Sequence, residues 1–155
     1  VLATLHTNDA PSAVTRLIDM GVKPFLVSSA VRAIMAQRLL RRVCKNCAEP
    51  AKASSEEIRL LHLDEKFLDT ATLKRGRGCS VCGGSGYKGR VGIYEIFQVG
   101  EDIQHLIYQK CSADIIRDAA RKGGMITLRE DGLRKAAAGV TSLAEVIDAT
   151  MADAQ

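Results

Sequence analysis

Two Cys-x-x-Cys knuckles, Cys44-Lys45-Asn46-Cys47 and Cys79-Ser80-Val81-Cys82, limit what this chain can fold into more than any other feature. The stretch from Ala48 to Gly78 separates them. A two-residue gap lets both thiolates of a knuckle reach one ion, and two such knuckles supply the four soft ligands of a tetrahedral zinc site. Four thiolates fill that shell, which points to a structural ion, because a catalytic zinc keeps one position open for water. An iron or iron-sulfur centre, disulfides and free thiols are the alternatives that the spacing leaves open. Zinc held in this way contributes on the order of 10 kcal/mol to folding a small unit. Without it, the excursion between the knuckles is expected to have little else to close it. The second knuckle runs on into Gly83-Gly84-Ser85-Gly86-Tyr87-Lys88-Gly89, where glycines let the backbone turn tightly around a metal.

With 155 residues, 46% hydrophobic and 26% charged, the chain can bury one full core or two small ones and is not disordered. No membrane-spanning run of uncharged apolar residues is present. The start, Val1-Leu2-Ala3-Thr4-Leu5, has neither an initiator Met nor a basic leader, so the expectation is a stretch cut from a longer chain. Four of five cysteines in metal spacing suit a reducing cytosol, and the fifth, Cys111, reads as a packed or partly exposed thiol. Basic and acidic residues number 7 and 3 in residues 1–50, 8 and 6 in 51–100, and 7 and 9 in 101–155. That balance falls short of the basic stripe a phosphate backbone requires, so nucleic acid is not an expected partner.

In chain order, Val1 to Leu5 reads as the end of a buried strand, delivering the polar tetrad His6-Thr7-Asn8-Asp9 at its carboxyl edge. Asn8 or Asp9 can cap a helix that begins near Pro11 and stops at Gly21. Pro24 opens a second helix, expected from Phe25 to about Arg42 and apolar on most sides. Arg38 has the most apolar setting of that segment's arginines, which makes it a candidate phosphate or subunit contact. Ser54 with Glu57 forms a capping box, and His62 reads as a surface residue. Arg90 to Phe97 reads as a strand returning to a covered sheet. The rest is helical: 102–110, a helix capped by Ser112 and ending at Gly123-Gly124, and two more with capping boxes at Thr127/Glu130 and Ser142/Glu145. The last three are expected to form a small bundle, with their acid and base residues on solvated faces.

The order of these features carries a resemblance. The Leu5-His6-Thr7-Asn8 box, Ala13-Val14-Thr15-Arg16-Leu17, Ala36-Gln37-Arg38-Leu39, the two knuckles, Gly86-Tyr87-Lys88-Gly89-Arg90, Gly92-Ile93-Tyr94-Glu95 and Thr141-Ser142-Leu143 follow one another. So arranged, the chain resembles the C-terminal part of the hexameric assembly ATPases of type II secretion and type IV pilus systems, in their tetracysteine branch. The resemblance implies a helix-rich α/β fold: the C-terminal portion of a RecA-like P-loop ATPase domain, with an inserted zinc subdomain and a C-terminal helical subdomain. The implied divisions are 1–43 for the end of the ATPase core, 44–90 for the zinc subdomain, 91–98 for a returning strand and 99–155 for the helical subdomain. It further implies Zn²⁺ on Cys44, Cys47, Cys79 and Cys82, with ATP and Mg²⁺ as the parent protein's cofactors. His6 would be catalytic, near the γ-phosphate, with Thr7 and Asn8 in the same nucleotide-sensing box. The implied partners are further copies of the chain in a homohexamer and inner-membrane platform proteins, and the implied location is cytoplasmic, peripheral at that membrane. No G-x-x-x-x-G-K-[ST] loop occurs in the 155 residues, so this stretch alone is expected to be inactive. The rival reading is a zinc-ribbon module that binds protein or nucleic acid through Lys74, Arg75, Arg77, Lys88 and Arg90.

Overall fold

The structure, a computed structural model, describes residues 1–151 as eight helices and four strands. The helices are α1 (Ser12–Asp19), α2 (Pro24–Ala30), α3 (Ser55–Leu61), α4 (Glu65–Thr70), α5 (Glu101–Tyr108), α6 (Ala113–Lys122), α7 (Leu128–Ala137) and α8 (Leu143–Thr150). The strands are β1 (Ala33–Val43), β2 (Ala48–Pro50), β3 (Lys74–Gly76) and β4 (Tyr87–Gln98). β1 pairs with β4, and β2 pairs antiparallel with β3. No described helix is long and apolar enough to cross a membrane.

The chain divides into two compact units, Val1–Gln37 with Tyr94–Thr127, and Arg38–Ile93 with Leu128 onward. In the first, Ala10, Val14, Val27, Phe97, Val99, Ile103, Ile107, Ile116 and Ala120 form one buried cluster. α1 packs against α2 and α6, and α5 against α2 and α6. Glycines end these helices as the sequence suggests, Gly21 and Gly124 both taking positive φ just past a helix end. In the second unit, α8 packs against α3 and α7, and Leu40, Val43, Leu61, Ile93, Leu128, Leu143 and Val146 are buried.

Two expectations fail here. The long second helix stops at Ala30, and Ala33–Val43 is strand β1. Ile34, Ala36, Arg38 and Leu40 are more covered than Met35, Gln37 and Leu39 between them, so burial repeats every two residues. Val1 to Leu5 forms no strand; a strand needs a hydrogen-bonded neighbour, and no described strand pairs with it. The three last helices divide between the units, α6 in the first and α7 and α8 in the second.

Glu145 also departs from the solvated face expected for it. Ser142 Oγ accepts the Glu145 N–H at 3.3 Å as a cap should, but the Glu145 carboxylate turns to Arg41. It accepts the Arg41 backbone N–H at 2.8 Å, Nε–H at 2.9 Å and Nη2–H at 2.5 Å, while being only 7% exposed. Burial pushes its carboxyl up, but the bonds from Arg41 outweigh that and hold it below 4.5. Arg41 lies 4.4 Å over the Tyr87 ring, whose hydroxyl meets Ser142 Oγ at 2.8 Å. Thr141 Oγ1 donates to the Arg41 carbonyl and Val43 N–H to the Val140 carbonyl. The end of β1 is thereby stapled to the α7–α8 turn.

Candidate metal centre

Cys44 and Cys47 leave the end of β1 in a turn closed by Cys47 N–H on the Cys44 carbonyl. Cys79 precedes and Cys82 completes a single 3₁₀ turn, Ser80–Cys82, capped by Gly83 with φ of +61°. The excursion between the knuckles has a closure the sequence did not suggest: the ladder Ala48↔Gly76, Glu49↔Arg75, Pro50↔Lys74. Thr72 N–H also bonds the Ala137 carbonyl. The ladder is short and alone would make a marginal unit in water, and the packing of α3 on α8, with Leu61 and Leu63 buried, adds to it.

The four sulfurs converge, all within 4.8 Å of one another. Cys44 and Cys79 stand 4.0 Å apart, Cys47 and Cys82 3.9 Å, and Cys79 and Cys82 3.7 Å. Zinc-sulfur bonds of about 2.3 Å in a tetrahedron put neighbouring sulfurs about 3.8 Å apart, so the cage has the size of a four-thiolate zinc site. A disulfide would hold its two sulfurs far closer, at about 2 Å. All five cysteines are free.

Donors around the cage favour thiolates. Cys82 Sγ accepts the N–H groups of Cys79 at 3.2 Å and Gly86 at 3.3 Å, bonds that outweigh burial and bring the thiol down to about 6. Cys79 is lowered first by Asn46 Nδ2, at 3.5 Å. Cys47 is buried, which pushes its thiol up to about 11 despite the Gly78 N–H at 3.3 Å. A divalent cation reverses that last effect, since a coordinated thiol is deprotonated. The residues present therefore fit zinc, which would supply cross-linking and no open coordination position.

Two glycines let the knuckles meet. A Cβ on Gly76 would lie 1.9 Å from the Gly86 carbonyl oxygen, and a Cβ on Gly86 would lie 2.5 Å from that of Gly76. This approach is not visible in either glycine's local sequence. It brings the Gly86 carbonyl to Cys44 N–H at 2.9 Å.

None of the other candidates is among the four cage residues. His6 and Asn8 are exposed in the first unit, and Thr7 Oγ1 donates to the Asp9 carbonyl at 3.1 Å. Asp9 takes the Ser12 N–H at 2.8 Å, as a helix cap does, and pairs with Arg117 Nη2 at 2.5 Å. Burial works against the Asp9 charge, but the bonds from Ser12 and Arg117 lower its pKa below 3.8. Buried Glu95 accepts the Ala10 N–H at 2.8 Å. Glu95 and Arg117, 85 and 108 residues from their partners, fix the turn after His6, and no local signal marks them. Arg38 is half-buried on β1 in the second unit. His62 is exposed, as expected.

Cage and fold together define a helix-rich α/β protein with a four-cysteine cluster that could hold a metal ion. The family model described as Type II/IV secretion system protein matches residues 1–148, and the chain belongs to that family. It is 50% identical over 151 residues to the type IV pilus assembly ATPase PilB of Thermus thermophilus. It is 44% identical over 150 residues to the type II secretion system protein E of Pseudomonas aeruginosa, and 42% to the type II secretion system ATPase E of Vibrio cholerae. Each alignment covers 97% of this chain, which spans 17%, 29% and 29% of those proteins.

Proposed function

We propose that this chain is the C-terminal stretch of an ATP hydrolase that drives pseudopilus assembly in type II secretion or pilus assembly in type IV systems. The observation that supports this best is near-complete coverage at 42% to 50% identity by relatives named as ATPases or secretion proteins of both systems. In this reading the parent protein has a RecA-like core and works as a cytoplasmic hexamer. It docks on platform proteins at the inner membrane, and nucleic acid is not a partner. Residues 1–43 end the ATPase core, 44–90 form the zinc subdomain and 91–98 return to the core.

His6 hydrogen-bonds the γ-phosphate or the attacking water, with Thr7 and Asn8 sensing the nucleotide. Mg²⁺ and the phosphate-gripping loop act from outside these 155 residues, which alone do not hydrolyse ATP. Arg38 contacts phosphate or a neighbouring subunit. Zinc on Cys44, Cys47, Cys79 and Cys82 holds the second unit together without entering the reaction. The test is Mg²⁺-dependent phosphate release by the full-length protein and its His6→Ala variant. The variant should lose at least about tenfold in kcat with unchanged melting, since one positioned hydrogen-bonding group is worth about 10²-fold or more. Absence of ATP hydrolysis in the wild type, or an unaltered kcat in the variant, overturns the reading.

A further inference from the structure

The basic residues around the knuckles are not used by ATP hydrolysis, and the structure sorts them. Arg75 is tied to Glu49 at 2.8 Å. Lys88 and Arg90 instead line a concave groove of about 400 Å³ with Arg42, Lys45 and the exposed apolar side chain of Val81. Lys88 and Arg90 are two apart on β4, so they project to one side of the strand. A second concavity of about 280 Å³ shares Arg42, Val43 and Lys45 and adds Lys74. Neither lining contains a carboxylate. Arg42, Lys45, Lys88 and Arg90 have no ion pair among the described residues, as is also true of exposed Lys52, Arg59 and Lys66; what sets the four apart is that they converge on one concavity.

Compensation of the metal centre does not account for this excess. A divalent ion on four thiolates carries two net negative charges, fewer than the four cations of the groove. The shape then selects the ligand. A flat lipid surface cannot enter a concave groove, and a duplex needs a longer basic stripe. A small anion would stay largely wet among Lys45, Lys88, Gly89 and Arg90, all exposed, where small-molecule sites bury most of their ligand. An extended peptide fits: its carboxylates can reach Arg42, Lys88 and Arg90 while an apolar side chain rests on Val81. We propose that this groove binds an acidic peptide segment of a partner protein.

The test uses the full-length, metal-loaded protein and a fluorescein-labelled Glu-Leu-Glu-Ala repeat peptide, read by fluorescence anisotropy. Binding should weaken with salt. Lys88→Glu/Arg90→Glu should weaken it at least about tenfold, as loss of close interfacial charge pairs does. Arg59→Glu/Lys66→Glu makes the same change in net charge on exposed residues of α3 and α4 and should leave affinity within about twofold. Lys88→Gln/Arg90→Gln, checked for zinc content and circular dichroism, gives the same answer if charge reversal disturbs folding. Equal weakening by both charge-reversed pairs overturns the proposal. So does peptide binding unaltered in the groove variants, or binding only to phosphatidylglycerol vesicles or single-stranded DNA.

Discussion

Gly76→Ala probes the four-cysteine cage without changing a cysteine. The new Cβ would lie 1.9 Å from the Gly86 carbonyl oxygen, where ordinary contact begins near 3.4 Å, so one backbone segment must retreat. The clash is with backbone on the partner side, so no side-chain rotation relieves it. Retreat of Gly86 breaks the Cys44 N–H bond to its carbonyl and the Gly86 N–H bond to Cys82 Sγ. An amide bond is worth about 1 kcal/mol and one to a charged acceptor about 1.5–3 kcal/mol, giving a cost of about 3 kcal/mol. That equals roughly a hundredfold in metal affinity, the upper range for changes to groups that orient metal ligands. Gly83→Ala is the matched control: its positive φ costs alanine about 1 kcal/mol, but nothing lies within 4 Å of its Cβ. Zinc competition against a chromogenic chelator, with thermal melting in parallel, should rank Gly76→Ala well below Gly83→Ala. Equal behaviour of the two variants would refute the close approach and the cost derived from it.

Two further changes test the polar staples. Glu145→Ala leaves the Arg41 N–H without its partner and should cost about 2–4 kcal/mol in urea unfolding at pH 7, while Glu145→Gln costs about 1–2 kcal/mol. The Arg41 side chain is 57% exposed, so its guanidinium contributes the smaller share. Because the folded pKa of Glu145 lies below 4.5, its contribution is complete above that pH and fades as pH falls through the folded value. The deficit of Glu145→Gln should therefore shrink on acidification, and a deficit independent of pH would contradict the charged pairing. Arg117→Ala should cost about 1–2 kcal/mol and speed hydrogen exchange at the Ala10 amide, since Asp9 then loses a restraint on its turn. Its Asp9-dependent share is present above pH 3.8 and lost on acidification below it. An unchanged exchange rate at Ala10 would show that Glu95 holds the turn alone.

The cage was legible because ligand chemistry needs few residues at a fixed spacing, and Cys44, Cys47, Cys79 and Cys82 meet whatever path the chain takes between the knuckles. The helices after Ser54, Ser112 and Ser142 were legible for a similar reason, each start being marked locally. β1 was not. Ala33, Met35, Ala36, Gln37, Arg38, Leu39 and Leu40 are good helix formers, and their apolar members fit a helical period as well as that of a strand. Pairing with β4, far along the chain, decides the matter. Glu145 was misread because a capping box is the local choice for its carboxylate, and Arg41, 104 residues away, supplies three donors instead. The same kind of distance hides Glu95 and Arg117 behind the His6 turn.

The central claim is that one zinc ion, held by four thiolates, organises the second unit. Elemental mass spectrometry of protein purified without chelators, with thiol counting after denaturation, tests it directly. The account predicts about one zinc per chain and five titratable thiols once the metal is removed. Iron in place of zinc, or no metal with the knuckle cysteines paired as disulfides, would contradict it.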